Sequence, residues 1–302
     1  MPSLNRIKTE KTLSYGDIFM KIAISAESTV DLTKELLTEY EIKTVPFTVL
    51  LGDRAGLDGE ITSKEIIDYV TQNKILPKTS AVNECQYDEH FGNLLKDNDA
   101  VVHFSLSSEL SSAYNNAVNS AKKFKNVYVI DSRSLSTGIA LLAIYARKLA
   151  RRGENAEDVY KKCLSRVPFV QASFELKRVD YLYKGGRCSA LMYLGANLLK
   201  IRPQILLKEG KMVSGKKYRG NYEHVVENYV NDVLEEFNNP DLEEVFITYT
   251  TAAPELVEKV KEVLAARGFK NIHPTTAGGT ITSHCGEDCL GILYINDGGE
   301  EA

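Results

Sequence analysis

One unit recurs through the first half of the chain: a short β-branched run, a hydroxyl-rich turn, then apolar residues at helical spacing. Lys21 to Ala26 leads through Ser28-Thr29 to Leu32, Leu36, Leu37 and Tyr40 on one helical face. Ala100 to Phe104 leads through Ser105 to Ser108 into a stripe of Leu110, Ala113, Tyr114, Ala117, Val118 and Ala121. Asn126 to Ile130 leads through Asp131-Ser132 into a helix over Leu135 to Arg151. A strand that returns only after a helix pairs in parallel with its predecessor, so this alternation predicts a mainly parallel sheet with helices on both faces.

The texture changes after the helical stretch Glu154 to Arg166. Phe169 to Phe174, Arg178 to Tyr183, Arg202 to Leu207 and Lys211 to Val213 read as short strands. Alternation then resumes: a helix near Tyr222 to Phe237, a strand Val245 to Thr250, a helix Pro254 to Arg267, and strands at Asn271 to Thr275 and Leu290 to Ile295. A chain of 302 residues exceeds the usual single domain. The expected architecture is two α/β domains: an N-terminal one over 20–167 with a mainly parallel sheet and flanking helices, and a C-terminal one over 168–302 with a mixed sheet. The boundary falls near Pro168. Residues 1–19 read as a flexible arm, with Met20 as an alternative start. They mix Arg6, Lys8 and Lys11 with Glu10 and Asp17 and hold no continuous apolar stretch, unlike a secretory signal. Asp297 to Ala302 reads as an acidic, solvated tail.

Composition removes several functions. The net charge of -4, with basic residues interleaved among acids, offers no electrostatic footprint for nucleic acid. No apolar run approaches the roughly 18 residues of a membrane span. Five cysteines without a CxxC pair point to reduced thiols in a cytoplasmic protein. Cys285 and Cys289 beside His284 lack the second ligand pair that a zinc site needs, so no metal is expected. GxGxxG, the Walker lysine loop, HExxH and GxSxG are all absent.

What remains is a set of polar clusters where apolar strands end: Thr79-Ser80, Ser105 to Tyr114, Gly185-Gly186-Arg187-Cys188-Ser189 and His284-Cys285-Gly286. They supply hydroxyls, one guanidinium and one imidazole, the groups that hold a small anionic head. In parallel sheets such groups gather at the carboxyl ends of strands. A helix starting near Ser111 would add unpaired N–H groups, although Ser111 or Ser112 could equally be a plain cap. Thr79 and Ser80 also fit turn and capping chemistry. Arg187 follows two glycines that allow close backbone approach to a ligand, and the same sequence would suit a surface arginine. His284 reads as a loop residue, whereas His103 lies within a strand and reads as a satisfied core histidine.

In order along the chain, these clusters resemble the DegV family of bacterial fatty-acid-binding proteins, the acyl-carrying subunits of fatty acid kinase. The resemblance runs from about Lys21 to Asp297. Its Asp-Ser-Thr and Asp-Leu opening stands here as Glu27-Ser28-Thr29-Val30-Asp31-Leu32, its Thr-Ser as Thr79-Ser80, and its Leu-Ser-Gly-Thr-Tyr as Leu110-Ser111-Ser112-Ala113-Tyr114. Val129-Ile130-Asp131-Ser132 with Gly138, Gly186-Arg187-Cys188-Ser189, Leu199-Lys200-Ile201-Arg202-Pro203 and His284-Cys285-Gly286 follow. The resemblance implies two α/β domains enclosing one long-chain fatty acid, with a lipid site between them. Thr79, Ser111 and His284 would surround the carboxylate, with Ser80 and Ser112 beside them. Arg187 would lie near the head and serve the kinase reaction. The implied partners are the fatty acid, the ATP-binding subunit of a fatty acid kinase and transient contact with a membrane; no cofactor is implied.

Two departures bear on the head. Ser112 and Ala113 replace the family's Gly and Thr, and Glu287-Asp288-Cys289 replaces Pro-Gly-Ala after Gly286. Acids facing the pocket would repel a carboxylate and raise the His284 pKa. The chain thus reads as a lipid carrier doing no chemistry alone. The alternative is a hydrolase or acyltransferase with Ser111 as nucleophile and His284 as base, oriented by Asp288. A third reading is a binding module for another small anion.

Overall fold

The computed structural model describes residues 20–188 and 201–299. The arm 1–19, Ser189, Leu199-Lys200 and the end of the acidic tail lie outside the described residues. The first part of the chain runs β1 (Ile22–Glu27), α1 (Lys34–Glu39), β2 (Ile42–Val45), β3 (Thr48–Leu51), β4 (Arg54–Leu57), α2 (Ser63–Asn73) and β5 (Lys78–Ser80). It continues through α3 (Glu84–Leu94), β6 (Ala100–Ser105), α4 (Ala113–Ala121), β7 (Val127–Asp131), α5 (Thr137–Arg151) and α6 (Ala156–Arg166). A 3-10 turn at Val167–Phe169 leads to β8 (Val170–Leu176), α7 (Asp180–Lys184), β9 (Arg202–Lys208), β10 (Lys211–Tyr218) and α8 (Tyr222–Glu236). Then come β11 (Glu244–Tyr249), α9 (Pro254–Ala266), β12 (Asn271–Thr276), α10 (Gly279–Cys285) and β13 (Cys289–Ile295).

The recurring strand–turn–helix unit builds a four-stranded sheet in the order β2-β1-β6-β7. All three of its pairings are parallel, as the alternation requires. The later strands form a six-stranded sheet, β10-β9-β8-β13-β11-β12, antiparallel except for the β11–β12 pair. The chain is therefore α/β with a parallel sheet followed by a mixed one. Helix α5 lies between them, touching β1 and β6 on one side and β8, β11 and β13 on the other. Burial on both sides explains its apolar run: Thr137 to Ala146 and Leu149 are all buried. Among the described residues no helix is long and apolar enough to cross a membrane.

Three readings of the sequence need correction. Arg178 to Tyr183 is not a strand; its alternating Val179, Tyr181 and Tyr183 enter the short helix α7, where Tyr181 and Leu182 are buried. His284 is not in a loop but near the end of helix α10. Thr79 and Ser80 are not turn residues: they belong to β5, which pairs antiparallel with β3 in a small third sheet, β4-β3-β5. That sheet starts from a tight β3–β4 hairpin whose two-residue turn places Gly52 at φ 61.

Candidate functional site

A cavity of about 260 Å3 opens where the small sheet, the β6–α4 loop, the end of α7 and α10 meet. Thr79, Ser80, Ser111, Ser112, Arg187 and His284 all line it, so the structure brings every one of the sequence-derived candidates together. The rest of the wall is largely apolar, with Phe47, Leu106, Leu110, Leu135, Met212 and Ile281. Ser80 and Ser112 are exposed, so the polar end reaches the surface.

Each group is held by identifiable contacts. The β6–α4 loop begins at Leu106, whose N–H donates to Glu27 Oε2 at 2.8 Å, while Ser105 Oγ and the Tyr87 hydroxyl donate to Glu27 Oε1 at 2.7 and 2.5 Å. Glu27 is fully buried. These donors, with His103, hold its carboxyl below the ordinary carboxylate value although burial alone would push it up. His103 is buried and bonded through both ring nitrogens, to Ser25 Oγ at 2.9 Å and to Glu27 at 3.2 Å, as befits a core histidine. Further along the loop Ser111 Oγ accepts the Ala113 N–H at 3.1 Å. Ser111 thus serves as a local cap for α4 while also facing the cavity. Ser112 stands at the α4 N-cap position without a side-chain cap bond.

His284 Nε2 lies 2.9 Å from Thr79 Oγ1, joining α10 to β5 across 205 residues of sequence. Its Nδ1 is buried without a partner among the described residues, close to Gly185, where a Cβ would sit 2.9 Å from that nitrogen. Glycine at 185 is what lets the chain pass over the imidazole. Burial first, and the Arg187 charge second, pull the His284 pKa down to about 4, so the ring is neutral at pH 7. In the tautomer that carries the proton on Nε2, the ring donates to Thr79 Oγ1 and the threonine hydroxyl proton is free for an acceptor in the cavity. Arg187 Nη1 donates to Gly185 O, and no carboxylate among the described residues pairs with it. The Thr79 and Ser111 hydroxyls and the Arg187 guanidinium make a donor set for an anion, with the neutral imidazole orienting Thr79.

Glu287 and Asp288 do not face this cavity. Lys177 Nζ holds them at 3.3 and 2.9 Å, and Asp288 Oδ1 accepts the Thr251 hydroxyl at 2.9 Å. The expectation that they raise the His284 pKa is therefore overturned. No acid among the described residues partners His284 Nδ1, and Asp288 is held by Lys177 and Thr251 instead of orienting the ring as the hydrolase alternative needs. Among the described residues no group of three or more His, Cys, Asp and Glu side chains converges as a metal site would require.

A second, narrower cavity of about 20 Å3 continues inward, sharing Leu135, Ile281 and Cys285 with the first. Phe174 and Leu293 of the mixed sheet close its far side. This volume holds about one water. Sequence reasoning did not find these apolar wall residues, nor Thr280. The Gly278-Gly279 pair was the one available signal, since glycines there mark a close approach of backbone to other groups.

A family model described as "Uncharacterised protein, DegV family" matches residues 21–297. A Thermotoga maritima protein named fatty acid-binding protein is 28% identical over 280 residues, spanning 90% of this chain and 97% of its own length. A solved DegV family structure from Thermus thermophilus matches with a TM-score of 0.84 at 24% identity, over 92% of this chain and 100% of its own, which speaks for the fold alone. A Thermotoga maritima structure reported to reveal a fatty acid binding function matches with a TM-score of 0.78 at 27% identity, over 91% of this chain and 99% of its own.

Proposed function

This chain belongs to the DegV family, and on that premise we propose that it binds one long-chain fatty acid and presents the carboxylate to a separate ATP-dependent fatty acid kinase. The observation that carries the reading is the meeting of Thr79, Ser80, Ser111, Ser112, Arg187 and His284 at the outer end of one cavity whose inner wall is apolar. On this reading Thr79, Ser111 and His284 surround the carboxylate, with Ser80 and Ser112 at the rim. The hydroxyls, with the neutral imidazole fixing Thr79, hold an anion without placing a full opposite charge against it. Arg187 is the full charge available when phosphoryl transfer adds negative charge to the head, and preorganised cations act chiefly at that stage. The protein itself does no bond-making, and an acyl phosphate returns to the same site.

The tail supplies affinity, at about 0.8 kcal/mol for each buried methylene before ordering costs. It enters past Leu135 and Ile281 toward Phe174 and Leu293. Support for a lipid rather than another small anion comes from this continuation and from the relatives named for fatty acid binding. Native mass spectrometry of gently purified protein is the direct test. The expected result is one bound fatty acid of roughly C14 to C18, a length that buries enough methylenes to survive purification. Bare protein that also fails to take up added fatty acid overturns the reading. The kinase step is tested separately by Arg187→Ala, which is expected to lower acyl phosphate formation with a reconstituted kinase more than it lowers fatty acid binding.

A further inference from the structure

The helix that carries His284 is gripped at its start by two acidic side chains. The Gly278 N–H donates to Asp31 Oδ1 at 2.8 Å, and the Gly279 N–H donates to Asp58 Oδ1 at 2.7 Å. Each acid is anchored again on its other oxygen. Ser136 Oγ donates to Asp31 Oδ2 at 2.5 Å, and Ser28 Oγ donates to Asp58 Oδ2 at 2.9 Å while accepting the Phe47 N–H at 3.1 Å. Asp31 closes the 3-10 turn after β1 at φ 52, and Ser136 caps α5 at φ 52, two positive-φ positions outside glycine held by this contact. The glycines carry the same message. A Cβ on Gly278 would lie 2.9 Å from Asp31 Oδ1 and 3.1 Å from Asp58 Oδ1, and one on Gly279 would lie 2.8 Å from Ile61 O.

Helix α10 has seven residues, begins on glycine and has no side-chain cap of its own. A helix so short does not hold itself, and acceptors for its otherwise unpaired first amides are what stabilise it. It delivers Thr280, Ile281, His284 and Cys285 to the wall of the outer cavity. His284 stands five residues beyond Gly279, about 7.5 Å along the axis. Any slip at the start of the helix moves the imidazole off Thr79.

We propose that Asp31 and Asp58 are positioning residues of the ligand site, reaching across more than 220 residues of sequence to hold α10 in the register that sets His284 against Thr79. The proposal rests on reading the outer cavity as a carboxylate site. Neither acid touches the ligand; both act through His284.

The test compares binding of a saturated C16 fatty acid with binding of its methyl ester, in wild type and in Asp58→Ala. The ester keeps the tail and loses the anionic head. The expected result is about a tenfold loss for the acid, little change for the ester, and recovery in Asp58→Asn, which keeps an acceptor for the Gly279 N–H. In a His284→Ala background Asp58→Ala is expected to add nothing. Equal losses for acid and ester, or additive losses in the double variant, overturn the proposal. Should Asp58→Ala fail to fold, Ser28→Ala removes the outer anchor of the same carboxylate and is judged by the same ratio. A second readout does not depend on lipid: the His284 titration followed by NMR. Its midpoint near 4 is expected to move up by a unit or more in Asp58→Ala as the ring leaves its slot. If wild type binds neither acid nor ester, the proposed function fails, and an unmoved His284 midpoint would then sink the clamp as well.

Discussion

The outer cavity takes its walls from elements scattered along the chain, β5, the β6–α4 loop, the end of α7 and α10, and its polar groups have hydrogen-bond capacity left over. The second cavity is lined by the face of the mixed sheet and the start of α5, and it is small, about 20 Å3 against 260 Å3. One end is open and chemically specified. The other is core that a tail must part. Ligand pockets commonly measure about 300–1,000 Å3, so on the proposed function the space for a long chain is to be made at the inner end, by movement of side chains such as Leu293 and Ile281. Head affinity should therefore respond to single hydrogen bonds, and tail affinity to volume.

The comparison breaks first if volume at the inner end does not matter. Leu293→Phe is expected to deny four or five methylenes their place, costing about 4 kcal/mol for a C16 acid, roughly a thousandfold. A C8 acid, whose tail stops short, should bind as before. Calorimetric titration with the two acids checks this, and equal losses would move the tail elsewhere.

Next in size is the pH response of the outer end. His284, depressed to about 4 by burial and then by Arg187, and His90, depressed to about 4 by burial and then by His103, are both neutral in the folded protein. Below pH 6.5 the unfolded chain takes up protons that the native rings refuse, so stability falls as pH drops from about 6.5 to about 4. Each ring contributes up to about 3 kcal/mol of that loss. Asp31 and Glu175, both raised to about 8 by burial, act in the opposite direction. The His284 share is therefore read as the difference between wild type and His284→Gln in urea unfolding at pH 7 and pH 4.5. A bound carboxylate favours the imidazolium, so saturating fatty acid is expected to shrink that difference and leave the His90 share untouched. A difference that ignores the ligand would place the head away from His284.

The smallest expected change comes from single hydroxyls. Thr79→Ala and Ser111→Ala should each weaken fatty acid binding by about 1–3 kcal/mol, the cost of a hydrogen bond to a charged group. The loss should be the same for C8 and C16 acids. A loss that grows with chain length would erase the distinction between the two ends.

How much of this was legible in the sequence follows from the range of the interactions. The parallel sheet was readable because each of its units carries its own signal within thirty or so residues. The six polar candidates were readable as polar clusters, although Arg187 follows helix α7 and His284 lies on helix α10 rather than at strand ends, and their order along the chain tied them to one family. Helix α10 was not. Gly-Gly-Thr-Ile-Thr-Ser-His-Cys is a poor helix former by propensity, and it is helical because Asp31 and Asp58 take its first amides. Strand β5 is three residues long and exists through its pairing with β3, so its Thr79-Ser80 looked like a turn. Glu287 and Asp288 looked dangerous to the pocket because nothing local reveals that Lys177 and Thr251 turn them away.

The Thr79–His284 bond joins residues 205 positions apart, and this sets a timetable for biosynthesis. At about 5–20 residues per second, ten seconds or more separate the emergence of β5 from that of α10. During that interval Phe47, Leu106 and Leu110 would face the cavity without the helix that later covers them, and a nascent chain in that state has no head site to capture a stabilising ligand. The parallel sheet can collapse early on local contacts, whereas closure of the pocket must wait on one of the longest loops in the fold. On the proposed function, a fatty acid acts on this protein only as a late partner in folding, sealing a structure whose two halves have already met.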